Sequence, residues 1–170
     1  MVVFSFAKVP YGTWIIREIE SPKGYALSEE EIAVTIGKVD EVVEIELVNY
    51  FIKGNIALTK VDEDYPDNKL SGAVFEVYSD TNGDGKLDND DTLLGEMKEL
   101  DGGVYQMSEL RYGKYLVKET KAPTGFVLDE DVYAVSIEEN GKTYTVENKA
   151  GVGFINAAQK GSLKNRKDFL

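Results

Sequence analysis

Along most of the chain apolar and polar residues alternate with a period of two, the spacing that places every second side chain on one face of a strand. The alternation predicts strands at 3–6, 13–19, 31–36, 42–48, 55–61, 73–78, 114–119, 132–138 and 142–146, most of them rich in Val, Ile, Tyr and Thr. Glycine and Asp/Asn breaks separate them, and Asn140-Gly141 has the composition of a two-residue hairpin turn. No stretch carries a sustained, capped helical stripe. Many short strands with frequent turns predict an all-β fold built as an antiparallel β-sandwich.

A fifteen-residue pattern lies over these strands twice. Tyr11-Gly12-x-Trp14-x-x-x-Glu18-x-x-x-Pro22-x-Gly24-Tyr25 returns as Tyr112-Gly113-x-Tyr115-x-x-x-Glu119-x-x-x-Pro123-x-Gly125-Phe126, every matched pair 101 residues apart. The repeat predicts two copies of one module. Few residues precede Tyr11, whereas a long strand-like run precedes Tyr112, so the expected organisation is a C-terminal half module over 1–53, a complete module over 54–160 and a tail over 161–170. A Lys-Gly step opens both of the later segments, at Lys53-Gly54 and Lys160-Gly161, with Lys60 and Lys167 each six residues beyond the glycine.

Composition narrows the chemistry. With 31 acidic and 19 basic residues the formal net charge is -12, which disfavours nucleic acid and anionic lipid as partners. The chain has no cysteine and no histidine, so disulfides, thiolate metal sites and the commonest general base are all excluded. No window is apolar for long enough to insert in a membrane, and Met1–Phe6 is too short for a secretion signal.

Three polar residues are out of place in a sandwich core. Lys60 shares a strand face with Ile56 and Leu58, Glu119 with Tyr115 and Val117, and Asn156 with Phe154. From spacing alone, each sits at a strand end and reaches water, as lysine readily does. A resemblance points elsewhere. The run Leu70-Ser71-Gly72-Ala73-Val74-Phe75-Glu76-Val77-Tyr78, followed by Tyr112-Gly113-Lys114-Tyr115 and Glu119-Thr120-Lys121-Ala122-Pro123-Thr124-Gly125-Phe126, resembles the collagen-adhesin B-type (Cna-B, SpaA-like pilin) domain of Gram-positive surface proteins, from Gly54 to about Ala158.

That resemblance implies an immunoglobulin-like or prealbumin-like sandwich, an extracellular, cell-wall-anchored parent protein, and neighbouring modules of that protein as partners. It also implies a spontaneous isopeptide bond from Lys60 to Asn156, assisted by Glu119 as proton shuttle. The residue types suit the reaction, because burial lowers the pKa of a lysine and raises that of a glutamate, giving a neutral nucleophile beside a carboxylic acid. The first copy keeps Glu18 and Asn49 but has no matching lysine, so it is expected to form no bond within itself. Strand exchange with another chain is one fate open to it, with Lys167 as a candidate donor.

Asp80 to Asp91 offers a second kind of site. Asp80, Asn82, Asp84, the Lys86 carbonyl, Asp88 and Asp91 fall at positions 1, 3, 5, 7, 9 and 12 of a calcium loop, with Asp91 where glutamate is usual. The alternatives are a structural Ca²⁺ clip and a solvated acidic turn. Tyr65-Pro66-Asp67-Asn68 resembles a sortase pilin motif but has Asp67 where that motif needs lysine, so no polymerisation site is assigned. Three readings follow. The leading one is a self-cross-linking stalk or pilin module that is no turnover enzyme. The second is an adhesin module binding a host protein or glycan. The third, a hydrolase pairing Glu18 with Glu119, is weakened because the two occupy equivalent places in separate modules.

Overall fold

The computed structural model describes residues 5–164, and the chain divides into two compact units, 1–51 and 52–170. In the first unit β1 (Gly12–Arg17) and β2 (Glu31–Ile36) pair antiparallel, with Trp14 opposite Val34 and Ile16 opposite Ile32. Tyr25 bridges Phe51, their rings stacked 4.6 Å apart. Among the described residues of this unit only Val34 is a buried apolar side chain. The strand expected at 42–48 does not form, and Val42 and Val48 are exposed. Alternation yields a strand only where a neighbouring edge takes up the backbone hydrogen bonds, and no such edge lies beside this stretch among the described residues. Ser5 and Phe6 are likewise not strand, while Val3 and Phe4 lie outside the described residues.

The second unit is the sandwich. Its strands are β3 (Lys53–Asp62), β4 (Val74–Ser79), β5 (Thr92–Glu96), β6 (Lys98–Glu99), β7 (Val104–Arg111), β8 (Gly113–Lys121), β9 (Val132–Ile137), β10 (Thr143–Thr145) and β11 (Phe154–Asn156). One sheet runs β10-β3-β7-β6 with β11 also on β3, and the other runs β5-β4-β8-β9. Ile56 and Leu58 of β3 and Tyr105 of β7 bury with Phe75 and Val77 of β4 and Tyr115 and Val117 of β8, and Phe154 of β11 joins them. Phe75 meets Tyr105 and Phe154 edge-on at 5.1 and 5.0 Å, a favoured aromatic geometry.

The pairing is antiparallel except at β3, where β10 and β11 both lie parallel. This corrects the expected hairpin at Asn140-Gly141. The turn is there, with Gly141 at φ 76°, but it carries the chain from β9 in one sheet to β10 in the other. It docks on the start of β3, where Gly141 N donates to Lys53 O at 2.7 Å and Lys53 N to Asn140 Oδ1 at 3.0 Å. Strand β7 escapes the alternation because a bulge holding Glu109 at φ 61° shifts its register, so that Tyr105 and Leu110, an odd number apart, both turn inward. The tail has no strand over 161–164, and Lys167 lies outside the described residues.

Candidate functional site

Lys60 follows Ile56 and Leu58 onto the inner face of β3, and its side chain is 0% exposed. The bland expectation that it reaches water is therefore wrong. Its backbone is clamped on both sides, N donating to Gly103 O at 2.7 Å and O accepting from Leu70 N at 2.8 Å. Gly103, at φ 84°, allows this approach, since a Cβ there would stand 2.8 Å from Leu70 O and 3.1 Å from Lys60 O.

Glu119 arrives from the opposite sheet, across from Phe75 on β4 and also 0% exposed. Asn156 ends β11, with 3% of its surface exposed. Strand β11 reaches β3 closely because Gly153 precedes it at φ 132°, where a Cβ would lie 2.8 Å from Thr59 O. In the parallel register Phe154 stands opposite Lys60 and Asn156 opposite Asp62, which makes Lys60 and Asn156 diagonal neighbours on one inner face.

The three residues meet. Lys60 Nζ lies 3.5 Å from Glu119 Oε1, donates to Phe154 O at 3.2 Å and sits 4.6 Å from the centre of the Phe154 ring. Asn156 Nδ2 donates to Glu119 Oε2 at 3.0 Å, and Asp129 N donates to the same oxygen at 2.9 Å. Glu119 Oε1 and Asn156 Oδ1 are buried without any hydrogen bond. Buried polar networks are ordinarily satisfied in full, because each orphan atom costs about 1–3 kcal/mol. Glu119 Oε1 instead faces Lys60 Nζ as an ion pair, which leaves Asn156 Oδ1 as the orphan of the site.

Burial pulls the Lys60 ammonium from 10.5 down to about 8, against the attraction of Glu119 and, more weakly, Asp129. A neutral amine is therefore accessible near neutral pH. This has a measurable consequence in Asn156→Ala, which keeps amine and carboxyl but offers no amide. Between pH 8 and the range where tyrosines ionise, the unfolded chain holds a proton that the folded state has released. Its stability therefore rises with pH, by at most about 1.4 kcal/mol per unit. Urea unfolding at stepped pH reads the slope, and a flat or falling profile would contradict this titration.

The first unit repeats half of the arrangement. Asn49 Nδ2 lies 2.8 and 2.7 Å from the two carboxylate oxygens of Glu18, and Ser28 N donates to Glu18 Oε2 at 2.8 Å, as Asp129 N does to Glu119. Both Glu18 and Asn49 are half-buried. The backbone agrees, since the bridge of Tyr25 to Phe51 has its counterpart in Phe126 to Ala158. Asp129 was not legible as a site residue because it contributes a backbone N–H. The signal that could have found it is positional, as it lies ten residues after Glu119 just as Ser28 lies ten after Glu18.

The Asp80–Asp91 loop spends its side chains on its own backbone. Asp80 accepts from Gly83 N and Gly85 N at 2.7 and 3.1 Å, Asn82 from Asp84 N at 2.9 Å, Asp84 from Lys86 N at 2.8 Å, and Asp91 from Thr81 N and Asp88 N at 3.0 and 2.9 Å. Asn82 Nδ2 also donates to Asp88 Oδ2 at 3.0 Å. Among the described residues no three acidic side chains converge closely enough to hold a metal ion. The donors suit calcium chemically.

Comparison with known proteins decides the family. The profile of the SpaA prealbumin-like fold domain matches residues 3–50 and again residues 54–150. The chain belongs to the SpaA prealbumin-like domain family. The second SpaA match takes in Lys60 and Glu119 and ends ahead of β11. Among solved structures, the Bacillus anthracis TIE protein is 30% identical with a TM-score of 0.69, over 88% of this chain and 26% of that one. BcpA, the major pilin subunit of Bacillus cereus, is 28% identical with a TM-score of 0.47, over 63% of this chain and 30% of its own. GBS52, the minor pilin of Streptococcus agalactiae, is 24% identical with a TM-score of 0.47, over 95% and 66%. This SpaA chain spans about a quarter of the length of TIE. No curated protein matches it.

Proposed function

We propose that the second unit is a structural module of an extended Gram-positive surface protein, and that it cross-links itself through an isopeptide bond between Lys60 and Asn156. The observation that carries the reading is the convergence of a buried lysine, glutamate and asparagine, with Glu119 reaching both the amine and the amide. The SpaA membership and the likeness to TIE support it.

The step balances without a cofactor. The neutral Lys60 amine adds to Asn156 Cγ, and the bond from Cγ to Nδ2 breaks. Turning the Asn156 amide over exchanges Nδ2 for Oδ1 against Glu119, where a carboxylic acid polarises the carbonyl. Glu119 then carries the proton lost by the amine to the departing nitrogen, which leaves as ammonia. Water exclusion and a fixed approach supply the remaining drive. The reaction runs once per chain, so this is no turnover enzyme. Digestion of the folded protein should release a branched peptide carrying both Lys60 and Asn156; two linear peptides in its place would overturn the reading.

In this reading the parent protein is extracellular and wall-anchored, and its adjoining modules are the partners. The exposed Trp14, Ile15, Val42, Val48 and Tyr50 of the first unit support strand exchange as an additional proposal. A calcium clip in the Asp80–Asp91 loop is a separate one, supported by oxygen donors at alternate positions. Calcium at a hundred times its dissociation constant would then stabilise the unit by about 2.7 kcal/mol, read as a higher melting temperature than in chelator. A melt indifferent to chelator removes the ion.

A further inference from the structure

Strand β11 is three residues long and, among the described residues, has a named strand beside it on one edge, β3. Its other edge is closed by a side chain. Asn148 Oδ1 accepts from Ile155 N at 2.6 Å and Asn148 Nδ2 donates to Ile155 O at 2.9 Å, so one carboxamide satisfies both backbone groups of the middle residue as a strand would. The second proton on Nδ2 goes to Asp129 Oδ2 at 2.6 Å, an oxygen that also accepts from the Tyr133 hydroxyl at 2.8 Å. Asp131 N occupies Asp129 Oδ1 at 2.9 Å. Burial works against ionisation of Asp129, but these donors outweigh it and hold the carboxyl below its usual range.

The network closes into a ring. Asp129 N holds Glu119, Glu119 holds Asn156, and Asn156 is chained to Ile155, which Asn148 holds for Asp129. Carboxyl and carboxamide are thereby referred to one common anchor. The first unit repeats the backbone donor with Ser28, which has no carboxylate, so the side-chain half of the anchor belongs to the second unit alone.

We infer that Asn148, oriented by Asp129, is a positioning residue for the Lys60–Asn156 ligation: it sets β11 so that the Asn156 amide meets the amine and Glu119 together. The inference rests on the isopeptide reading above. A near-attack geometry lost by a fraction of an ångström to about 1 Å costs up to about a hundredfold in rate. Backbone contacts hold the chain at either end of β11, Lys149 with Gly153 before it and Val127 N to Ala157 O at 2.9 Å after it, and Asn148 holds the outer edge between them.

The test follows the fraction of chains lacking one ammonia against time after purification, divided by the folded fraction from near-ultraviolet circular dichroism. The unsubstituted protein should be fully converted at the outset. Asn148→Ala should start mostly at full mass and convert at least about tenfold more slowly. Asn148→Asp, which is isosteric but turns carboxylate oxygens toward Ile155 O and Asp129 in place of the N–H donors, should be as slow. Conversion of Asn148→Ala or Asn148→Asp at the parental rate per folded chain overturns the inference. Should Asn148→Ala not fold, the isosteric Asn148→Asp still decides it. A parent protein at full mass would instead sink the isopeptide reading itself, a separate and distinguishable result.

Discussion

Intact-mass measurement of the folded chain will fall short of the sequence mass by one ammonia. The reasoning is geometric and electrostatic. Lys60 and Glu119 are both without solvent contact, burial pulls the amine down to about 8, and Asn156 stands diagonal to it in register with its carboxamide on Glu119. Lys60→Met and Asn156→Ala should each return the full mass expected from their sequences. So should Glu119→Ala, since without a carboxyl the leaving nitrogen has no proton source in a site that excludes water. A full mass in the folded parent would end the proposal, and loss of ammonia in Glu119→Ala would remove the shuttle role while keeping the bond.

Stability should then fall in a defined order, the parent above Lys60→Met and Lys60→Met above Glu119→Ala. By analogy with a disulfide, a cross-link closing a loop near 100 residues is worth about 4–5 kcal/mol on the chain-entropy model. Lys60→Met forfeits that and leaves Glu119 buried without its cation, though it fills the same space with an apolar chain, so the second unit should melt lower by at least roughly 20 °C. Glu119→Ala forfeits the cross-link too, strands a buried lysine without its carboxylate and opens a cavity as well, so it should melt lower still. If the three residues were only an ion pair with an asparagine nearby, Lys60→Met would still be destabilising because Glu119 stays buried without its cation, but the double exchange Lys60→Met with Glu119→Leu would be close to neutral, because replacing a buried pair by apolar packing often is. Calorimetry of the double exchange against the parent separates these cases, and coincident melting of the two would exclude the bond.

Much of this was legible in the chain, and the failures have physical causes. Period-2 alternation located β2 to the residue and β3, β4, β8 and β9 to within two; the latter four turn a face to the core, and β2 has β1 along one edge. The same rule placed Lys60, Glu119 and Asn156 on inner faces, although spacing alone favoured an exposed lysine. Alternation failed at 42–48, where the pattern exists but no neighbouring edge does, and at β7, where the Glu109 bulge breaks the count. The hairpin at Asn140-Gly141 failed for a topological reason: turn chemistry fixes the local bend, and the partner of β10 is chosen by the free edge of β3. Asn148 was invisible because an asparagine that mimics a strand neighbour leaves no periodic trace.

The parallel pairing of β11 with β3 also decides how the second unit would answer a pull. One strand enters the fold at Lys53 and the other leaves it at Asn156, side by side and pointing the same way. Drawn apart from their outer ends, the two strands slide lengthwise, and their mutual hydrogen bonds are loaded together in shear. An antiparallel first and last strand would present those bonds one at a time and peel open like a zip. The direction of a three-residue strand thus makes the fold resistant along the one axis on which a filament is stretched, before any covalent bond is counted.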